Sequence, residues 1–499
     1  MNRSLGVVLM RQEDLNALRE APVASPMMVI GGQSVAAVTG ETLDVTSPVD
    51  GQILTQIPNA TEADVIGAVA AARASFDAGI WARMAPAGRK KILLAWADLV
   101  EKNALELAVL GVRDNGTEIS MAFKAEPMSA AGTIRYYAEA IDKIYGEIAP
   151  TDPSILAMIQ KEPVGVVGAI VPWNFPLMIA AWKIAPALAM GNSVILKPSE
   201  IASLSVLRMV VLAHEAGIPD GVLNVVTGVG PVSGRAIALS MDVDALVFTG
   251  SVGVGRRLME YAARSNLKRV FLELGGKSPH IVFDDTEDLD TAAKAVVGGI
   301  FRNSGQVCIA GSRLLVQDHI HDAFVDKIVA LTEKMRVGNP LDLTTEIGAV
   351  SSEEHLNRVL NALDGVRTIA TGGTQILQET GGSYMRPAIV TDMGPDDTLV
   401  REEVFGPVLT VTRFKDEADA VVLANATDLG LAAGVWTSGL GRAHRMIAAL
   451  RAGVIHVNTY GGADNTVPLG GFKQSGNGHD KSLHAIEKFI NKKTAWIKL

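Results

Sequence analysis

From Val164 onward the chain alternates short, almost wholly apolar runs with stretches of helical periodicity, and this alternation restricts its fold more than any other feature. The runs are Val164–Val171, Ser193–Leu196, Val222–Thr227, Ala245–Phe248, Val270–Leu274 and His280–Phe283. Between the second and third, Ser199–Ala216 carries Leu204, Leu207 and Val211 at helical spacing, with Gly217 to end the helix and Pro219 just beyond. Strands buried on both faces lose their polar alternation, and strands joined through helices run parallel. The pattern therefore predicts a parallel sheet covered by helices on both sides. A second alternating region, from about Ala292 to Gly471, has strand candidates at Arg313–Val316, Val408–Phe414, Gly434–Thr437 and Val454–Val457 and predicts a second α/β domain. Upstream, Thr61-Glu62-Ala63-Asp64 has the form of a capping box before an Ala-rich helix running to Phe76. Lys90–Val112 reads as an amphipathic helix presenting Leu93, Leu94, Trp96 and Leu99 on one face, while residues 1–24 are mixed and peripheral.

At 499 residues the chain exceeds one ordinary core and implies roughly two to four domains. Its 45 Lys+Arg against 54 Asp+Glu leave a net charge of −9, which argues against a nucleic-acid partner. An aromatic content of 5% argues against stacking platforms for single strands. One cysteine excludes an intramolecular disulfide, and the composition is that of a soluble, acidic protein expected in the cytoplasm. Leu5–Met10 is too short for the apolar core of a signal peptide. Val164–Trp182 has no charge over 19 residues, but Pro172, Asn174, Pro176, Gly165 and Gly168 favour a buried strand and an ordered loop over a membrane span. No membrane partner is expected.

Several motifs fall short. Gly275-Gly276-Lys277-Ser278 resembles the end of a P-loop, but Phe271 stands where its first glycine belongs. Gly228-Val229-Gly230 with Gly234, and the turn Phe248–Gly255 before a helix near Arg256, are glycine-rich strand-to-helix turns of the kind a pyrophosphate can approach, or simply turns. Asp284–Asp290 holds five acids among seven residues without calcium-loop spacing, and predicts a solvated loop capping the next helix. His319 and His321 fall on a predicted surface turn, and no metal site is expected.

Three residues stand above this background. Glu273 ends the apolar strand Val270–Leu274; burial raises a carboxyl pKa toward that of a general base, although a salt-bridged structural glutamate fits the same position. Cys308 lies among small residues in Asn303-Ser304-Gly305-Gln306-Val307-Cys308-Ile309-Ala310-Gly311, either an accessible nucleophile or an inert buried thiol. Asn174 places an amide in the apolar loop Pro172-Trp173-Asn174-Phe175-Pro176, where it needs a partner: a backbone group or a substrate oxygen.

With these residues in view, the chain resembles the NAD(P)-dependent aldehyde dehydrogenase superfamily. The likeness runs from about Thr46 to the C-terminus through Val171–Pro176, Lys197-Pro198-Ser199-Glu200, Phe248–Ser251, Leu272–Lys277, Gly305–Cys308, Glu403-Val404-Phe405-Gly406-Pro407 and Pro468–Gly476, in family order, with 35 residues between Glu273 and Cys308. The resemblance implies that Cys308 attacks the aldehyde, that Asn174 and the Cys308 N–H hold the oxyanion, and that Glu273 activates water to hydrolyse the thioester. It implies NAD contacts at Lys197 and Glu200 (adenosine ribose), Ser251 (pyrophosphate), Glu403 (nicotinamide ribose) and Phe405, completed by Trp173, Gly230, Gly250 and Gly255. Phe175 and Trp182 would line the substrate pocket. Glu200 favours NAD, with NADP weaker, and Glu273 favours a free acid product over transfer to coenzyme A.

The implied fold is α/β, aldehyde dehydrogenase-like, with two doubly wound parallel-sheet domains and a small β oligomerisation element. Residues 25–143 and 164–274 would bind cofactor, 275–476 would form the catalytic domain, and 144–163 with 477–499 would assemble a dimer or dimer of dimers, through a hairpin near 144–163 and a strand around Thr494–Lys498. Two segments depart from the family pattern, Asp114-Asn115-Gly116-Thr117-Glu118 and Pro468-Leu469-Gly470-Gly471, and both are expected near the substrate tunnel. Tyr137–Lys143 and the tail Lys473–Lys488 are similar to bacterial 4-(γ-glutamylamino)butanal dehydrogenases, a subgroup that also contains enzymes for aromatic aldehydes. Two other classes stand beside this reading: a cofactor-independent thiol hydrolase using Cys308, and a non-catalytic protein that inherited the fold, against which the intact trio speaks.

Overall fold

The computed structural model describes residues 10–462 and 464–499, so Leu5–Met10 lies, apart from Met10, outside the described residues. Two seven-stranded sheets form its frame. In the first, Arg269–Glu273, Ala245–Thr249, Val166–Ile170, Ser193–Lys197 and Leu223–Val225 lie side by side in that order, all parallel. Met28–Ile30 and Gln33–Val35 add an antiparallel hairpin at the Leu223–Val225 edge.

The two faces of each strand serve different cores. Val167, Ala169, Val194, Leu196 and Val247 pack with residues of the helices Pro86–Lys102, Ser129–Ala140, Pro176–Ala189 and Leu204–Glu215. Val166, Ile170, Ile195, Leu246 and Phe248 pack with Glu62–Ala78, Arg235–Leu239 and Val252–Arg264. This double burial is why the strand runs carry no polar alternation.

The second sheet runs Ile369–Thr371, Ala388–Val390, Val408–Phe414, Arg313–Gln317, Pro279–Val282, Ala432–Trp436 and Val454–Val457, parallel except at the Ile369–Thr371 edge. Its strands divide in the same way, with Val282, Leu314 and Val316 in one core and Ile281, Leu315 and Val435 in the other. The third sheet is antiparallel: Glu147–Ala149, Ile155–Pro163 and Ile490–Lys498. Ile490 lies opposite Pro163 and Lys498 opposite Ile155, so the C-terminal strand extends beyond the expected Thr494–Lys498 along the whole of its partner.

Along the first sheet the chain starts at Val166–Ile170, steps through Ser193–Lys197 and Leu223–Val225, and then crosses to the other side for Ala245–Thr249 and Arg269–Glu273. The connections leaving Val166–Ile170 and Ala245–Thr249 diverge, which opens a crevice at the carboxyl ends of the strands. Doubly wound sheets bind ligands at such a switch point.

Several elements differ from the sequence expectation. The helix expected at Ser199–Ala216 spans Leu204–Glu215, because its first-turn acceptor is distant: the buried Asp114 carboxylate accepts from Leu204 N at 2.9 Å. Lys90–Val112 is two helices, Pro86–Lys102 and Ala104–Asn115, divided at Asn103, whose Nδ2 donates to the Leu99 carbonyl at 2.7 Å. Val164–Trp182 is a strand and a loop that pass directly into the helix Pro176–Ala189, begun by a proline in its first turn. The helix expected near Arg256 starts at Val252 with Ser251 as its cap.

Within the N-terminal segment, Gln12–Glu20 is a helix that buries Leu15 in a cluster with Val109 and Val112. His321 is not on a surface turn: it is buried at the start of the helix His321–Glu333, its ring 2.9 Å from the Asp322 carboxylate, while His319 is exposed. Asp288 caps Leu289–Phe301, as the acidic loop suggested, and Thr61 and Asp64 form the capping box. Among the described residues no helix is long and apolar enough to cross a membrane.

Asp114→Ala should destabilise the protein by about 1–2 kcal/mol, the usual loss for a missing helix cap, read as a lower denaturation midpoint. Asp114→Asn keeps an acceptor and should recover most of it. An unchanged midpoint in the Ala variant would show that something else sets the helix start.

Candidate active site

Asn174 sits in the loop between Val166–Ile170 and the helix that begins at Pro176, at the sheet's switch point. Its Nδ2 donates to the Gln306 carbonyl at 2.8 Å, and its own carbonyl accepts from Asn303 Nδ2 at 3.1 Å. The backbone therefore supplies one partner for the Asn174 amide, leaving its second N–H for other use. Asn303 anchors a wider lattice: its Oδ1 accepts from Thr117 Oγ1 at 2.7 Å, and its N–H donates to Glu118 at 3.2 Å. Gln306 joins in, donating to the Asn303 carbonyl at 3.0 Å and accepting from Ser351 N at 2.9 Å.

This lattice holds three successive residues in left-handed backbone, Asn303 (φ 50°), Ser304 (φ 51°) and Gly305 (φ 72°). Gly305 is required by close approach as well as by φ, since a Cβ there would lie 2.2 Å from the Gly406 carbonyl. Cys308 follows, half-buried in the wall of a cavity of about 680 Å³ that Phe175, Trp182, Tyr460 and Leu469 also line. Burial, reinforced by the Glu403 and Glu273 carboxylates, pushes its thiol up to about 12.

Glu273 ends its strand 4% exposed, and neither carboxylate oxygen has a hydrogen-bond partner among the described residues. It is thus no salt-bridged structural glutamate. Burial raises its pKa well above the usual carboxylate range; the nearby Asp480 charge adds to this, and Lys183 and Lys488 oppose it. Asp480 itself is held between Lys183 at 2.5 Å and Lys488 at 2.6 Å, all three buried. The glycines after Glu273 make room for other parts of the site. A Cβ on Gly275 would lie 2.0 Å from Glu403 Oε2, and one on Gly276 would lie 2.5 Å from the Cys308 carbonyl. Gly276 N donates to Glu403 Oε1 at 2.9 Å.

The residues expected to hold a cofactor lie around the crevice. Lys197, buried at the end of its strand, donates to the Pro198 carbonyl at 3.0 Å and to Glu200 at 3.2 Å. Ser251 Oγ accepts from Val254 N at 3.4 Å, capping the helix whose N-terminus faces the crevice, and the Thr249 hydroxyl before it is buried without a partner among the described residues. Gly250 accommodates the Phe248 ring, and Gly255 packs the helix on Leu274. Gly230 borders open space, with nothing within 4 Å of a Cβ placed there. Trp173 meets Phe405 edge to face at 5.4 Å and His355 at 5.2 Å, beside a second cavity of about 180 Å³.

A family model described as the aldehyde dehydrogenase family matches residues 35–495. The chain belongs to the aldehyde dehydrogenase family. It is 48% identical over 475 residues, 95% of each chain, to the NADP/NAD-dependent aldehyde dehydrogenase PuuC of Escherichia coli K12. Among solved structures it superposes on an indole-3-acetaldehyde dehydrogenase complexed with NAD+ with a TM-score of 0.96, 48% identity and coverage of 98% of this chain and 100% of that one. A gamma-glutamyl-gamma-aminobutyraldehyde dehydrogenase from Burkholderia cenocepacia J2315 matches with the same score, identity and coverage. The α/β aldehyde dehydrogenase fold expected from the motifs is the fold this family member adopts.

In this dehydrogenase both departures from the family pattern reach the large cavity, through Glu118 and Leu469. No motif marks Thr117, Asn303 and Gln306 as site residues, nor the pair Lys183 and Asp480. Amides beside the lone cysteine were the only local sign of the lattice. The ion pair spans 297 positions and had none.

Cys308 is the sole cysteine, so thiol alkylation reports on it alone. Because its pKa is raised, the thiolate appears only as pH climbs. Iodoacetamide labelling of the protein should still accelerate above about pH 10, where an ordinary thiol of pKa about 8.5 has levelled off. Glu403→Gln removes one nearby negative charge and should shift the profile to lower pH. A plateau near neutrality would contradict this assignment.

Proposed function

We propose that this aldehyde dehydrogenase oxidises an aldehyde to the free carboxylic acid with NAD, through covalent chemistry at Cys308. The observation that carries the reading is the shared site of the only cysteine and a buried carboxylate, Glu273, that has no hydrogen-bond partner among the described residues. Cys308 loses its thiol proton to solvent, the thiolate Sγ adds to the carbonyl carbon, and the second Asn174 N–H with the Cys308 N–H holds the oxyanion. The chemistry that NAD supplies when bound is hydride acceptance. Glu273 then takes a proton from water as that water attacks the Cys308 thioester, releasing the acid and restoring the thiolate. The raised Glu273 pKa suits it to hold that proton.

The crevice fits a dinucleotide. The partnerless Thr249 hydroxyl, the capped helix N-terminus at Ser251 and the open space over Gly230 lie where a pyrophosphate would be held. Trp173, Lys197, Glu200, Gly250, Gly255, Glu403 and Phe405 complete the set. Glu200, paired with Lys197, supports NAD over NADP, since a carboxylate beside the adenosine ribose would repel a 2′-phosphate.

The proposed division assigns 25–143 and 164–274 to cofactor binding, 275–476 to catalysis, and 144–163 with 477–499 to assembly. Ile148 and Trp496 are exposed on the three-stranded sheet, and its open edges suit pairing with a second copy as a dimer or dimer of dimers. A single-cysteine chain suits a reducing cytoplasm. The relatives support 4-(γ-glutamylamino)butanal or a related aliphatic aldehyde as substrate, and the aromatic lining of Phe175, Trp182 and Tyr460 supports an aromatic aldehyde as the second reading.

Cys308→Ala should abolish NADH formation from aldehydes while NAD still binds, and Glu273→Gln should give at most one turnover of NADH before stalling as thioester. Steady turnover by either variant would remove that residue from its role. Ester cleavage without cofactor at the rate of aldehyde oxidation would favour the hydrolase class instead.

For the cofactor, kcat/KM with NAD should exceed that with NADP by at least about tenfold, equivalent to about 1.4 kcal/mol. Glu200→Ser should narrow the gap by improving NADP use. Equal use of both by the wild type would mean that Glu200 swings away at little cost.

A further inference from the structure

Lys481 lines the same cavity as Cys308, is only 3% exposed, and has no hydrogen-bond or ion-pair partner among the described residues. Its ammonium lies 5.2 Å over the Trp182 ring, a contact that offsets only part of what burying a charge costs. The two carboxylates nearest in charge, Asp480 and Asp464, are engaged elsewhere. Asp480 is clamped by Lys183 and Lys488, and Asp464 is exposed and bonded to Thr466. The buried Trp182 Nε1–H is likewise without an acceptor among the described residues.

The backbone holds Lys481 in place. Asp480 pairs with Leu469 through backbone bonds of 2.8 and 2.7 Å, and the Ser482 carbonyl accepts from Tyr137 Oη at 2.9 Å. Between these anchors Lys481 adopts φ 64°, a left-handed conformation that a lysine enters only under constraint. The other charges of the cavity lean the same way. Lys124 and Arg302 are exposed in its lining and make no ion pair among the described residues, whereas Glu118 is bound to Asn303 N and Glu346 to Arg336.

A buried ammonium that lines the cavity without a partner, together with an excess of unpaired cations around it, calls for an acceptor-only, anionic group. We propose that this cavity takes aldehydes whose tail carries a carboxylate, and that Lys481 is the residue that binds it. The inference rests on the aldehyde-oxidising reading above and narrows its substrate class. An ammonium tail would be repelled, and a neutral tail would leave Lys481 unpaired.

The test is kcat/KM of the purified enzyme for glutaric semialdehyde, its methyl ester, and a trimethylammonio aldehyde of similar length. The carboxylate should be preferred to the ester by about tenfold or more, as a charge-assisted bond allows, with the cation poorest. Lys481→Met should erase that preference mainly through KM while leaving oxidation of the ester within about twofold, and Lys481→Arg should restore part of it. A wild-type ratio near one, or a Met variant that keeps the full preference, overturns the proposal. Should the Met variant lose all activity, the wild-type ratio and the Arg variant decide. Failure to oxidise any of the three aldehydes would count against the parent reading, whereas oxidation without preference counts against Lys481 alone.

Discussion

The active site depends on how the segment from Asn303 to Cys308 is held. Three consecutive left-handed residues, two of them not glycine, would be unstable in a free loop, at about 1–3 kcal/mol for each strained non-glycine position. They persist because Asn303 and Gln306 are held by buried hydrogen bonds, accepting from Thr117 and Ser351 and donating to Glu118 and Asn174. These partners come from three separate stretches of chain, so the loop cannot form before the rest of the fold. Buried amides hold one geometry well because leaving any of them unpaired costs about 1–3 kcal/mol. The same bonds fix Asn174 relative to Cys308, since one end of the lattice is the loop that carries Asn174.

Charge is the second organising constraint. Glu273 lies unpaired in an apolar setting, and one step behind it Asp480 binds two buried lysines. A lone buried carboxylate would be forced neutral; the lysines beyond Asp480 limit that pressure without touching Glu273. On its other side the site places Glu403 against Gly275 and Gly276, within influence of Cys308. The cofactor-free site is thus rich in carboxyl groups around a thiol, and the cations that could balance them, Lys183, Lys488 and Lys481, stand at its back and in the substrate cavity.

The fold and the chemistry were legible in the sequence to different depths. Continuous apolar runs located the parallel strands of the first sheet and all but Ala388–Val390 of the second, because double burial leaves no polar side to confuse the pattern. Glu273, Cys308 and Asn174 stood out as polar or reactive groups in apolar surroundings. The helix at Leu204–Glu215 was misjudged at its start because its cap, Asp114, lies 90 positions away. The break at Asn103 was missed because a side-chain bond to Leu99 competes with the helix there. His321 passed for a surface residue because burial of one histidine depends on which face of a helix meets the core, and a short segment does not reveal this.

The sequence by itself determined the alternation of elements, the family motifs and the identity of the reactive groups, since these depend on local periodicity and on residue type. Only the tertiary structure decided that Asn174 already spends one amide N–H on Gln306, that Glu273 has no partner, and that Lys481 faces the cavity without an anion. The physical reason is common to all three. Whether a polar group is free or satisfied depends on neighbours hundreds of residues away along the chain, and hydrogen bonds and charges act over distances in space that no sequence spacing encodes.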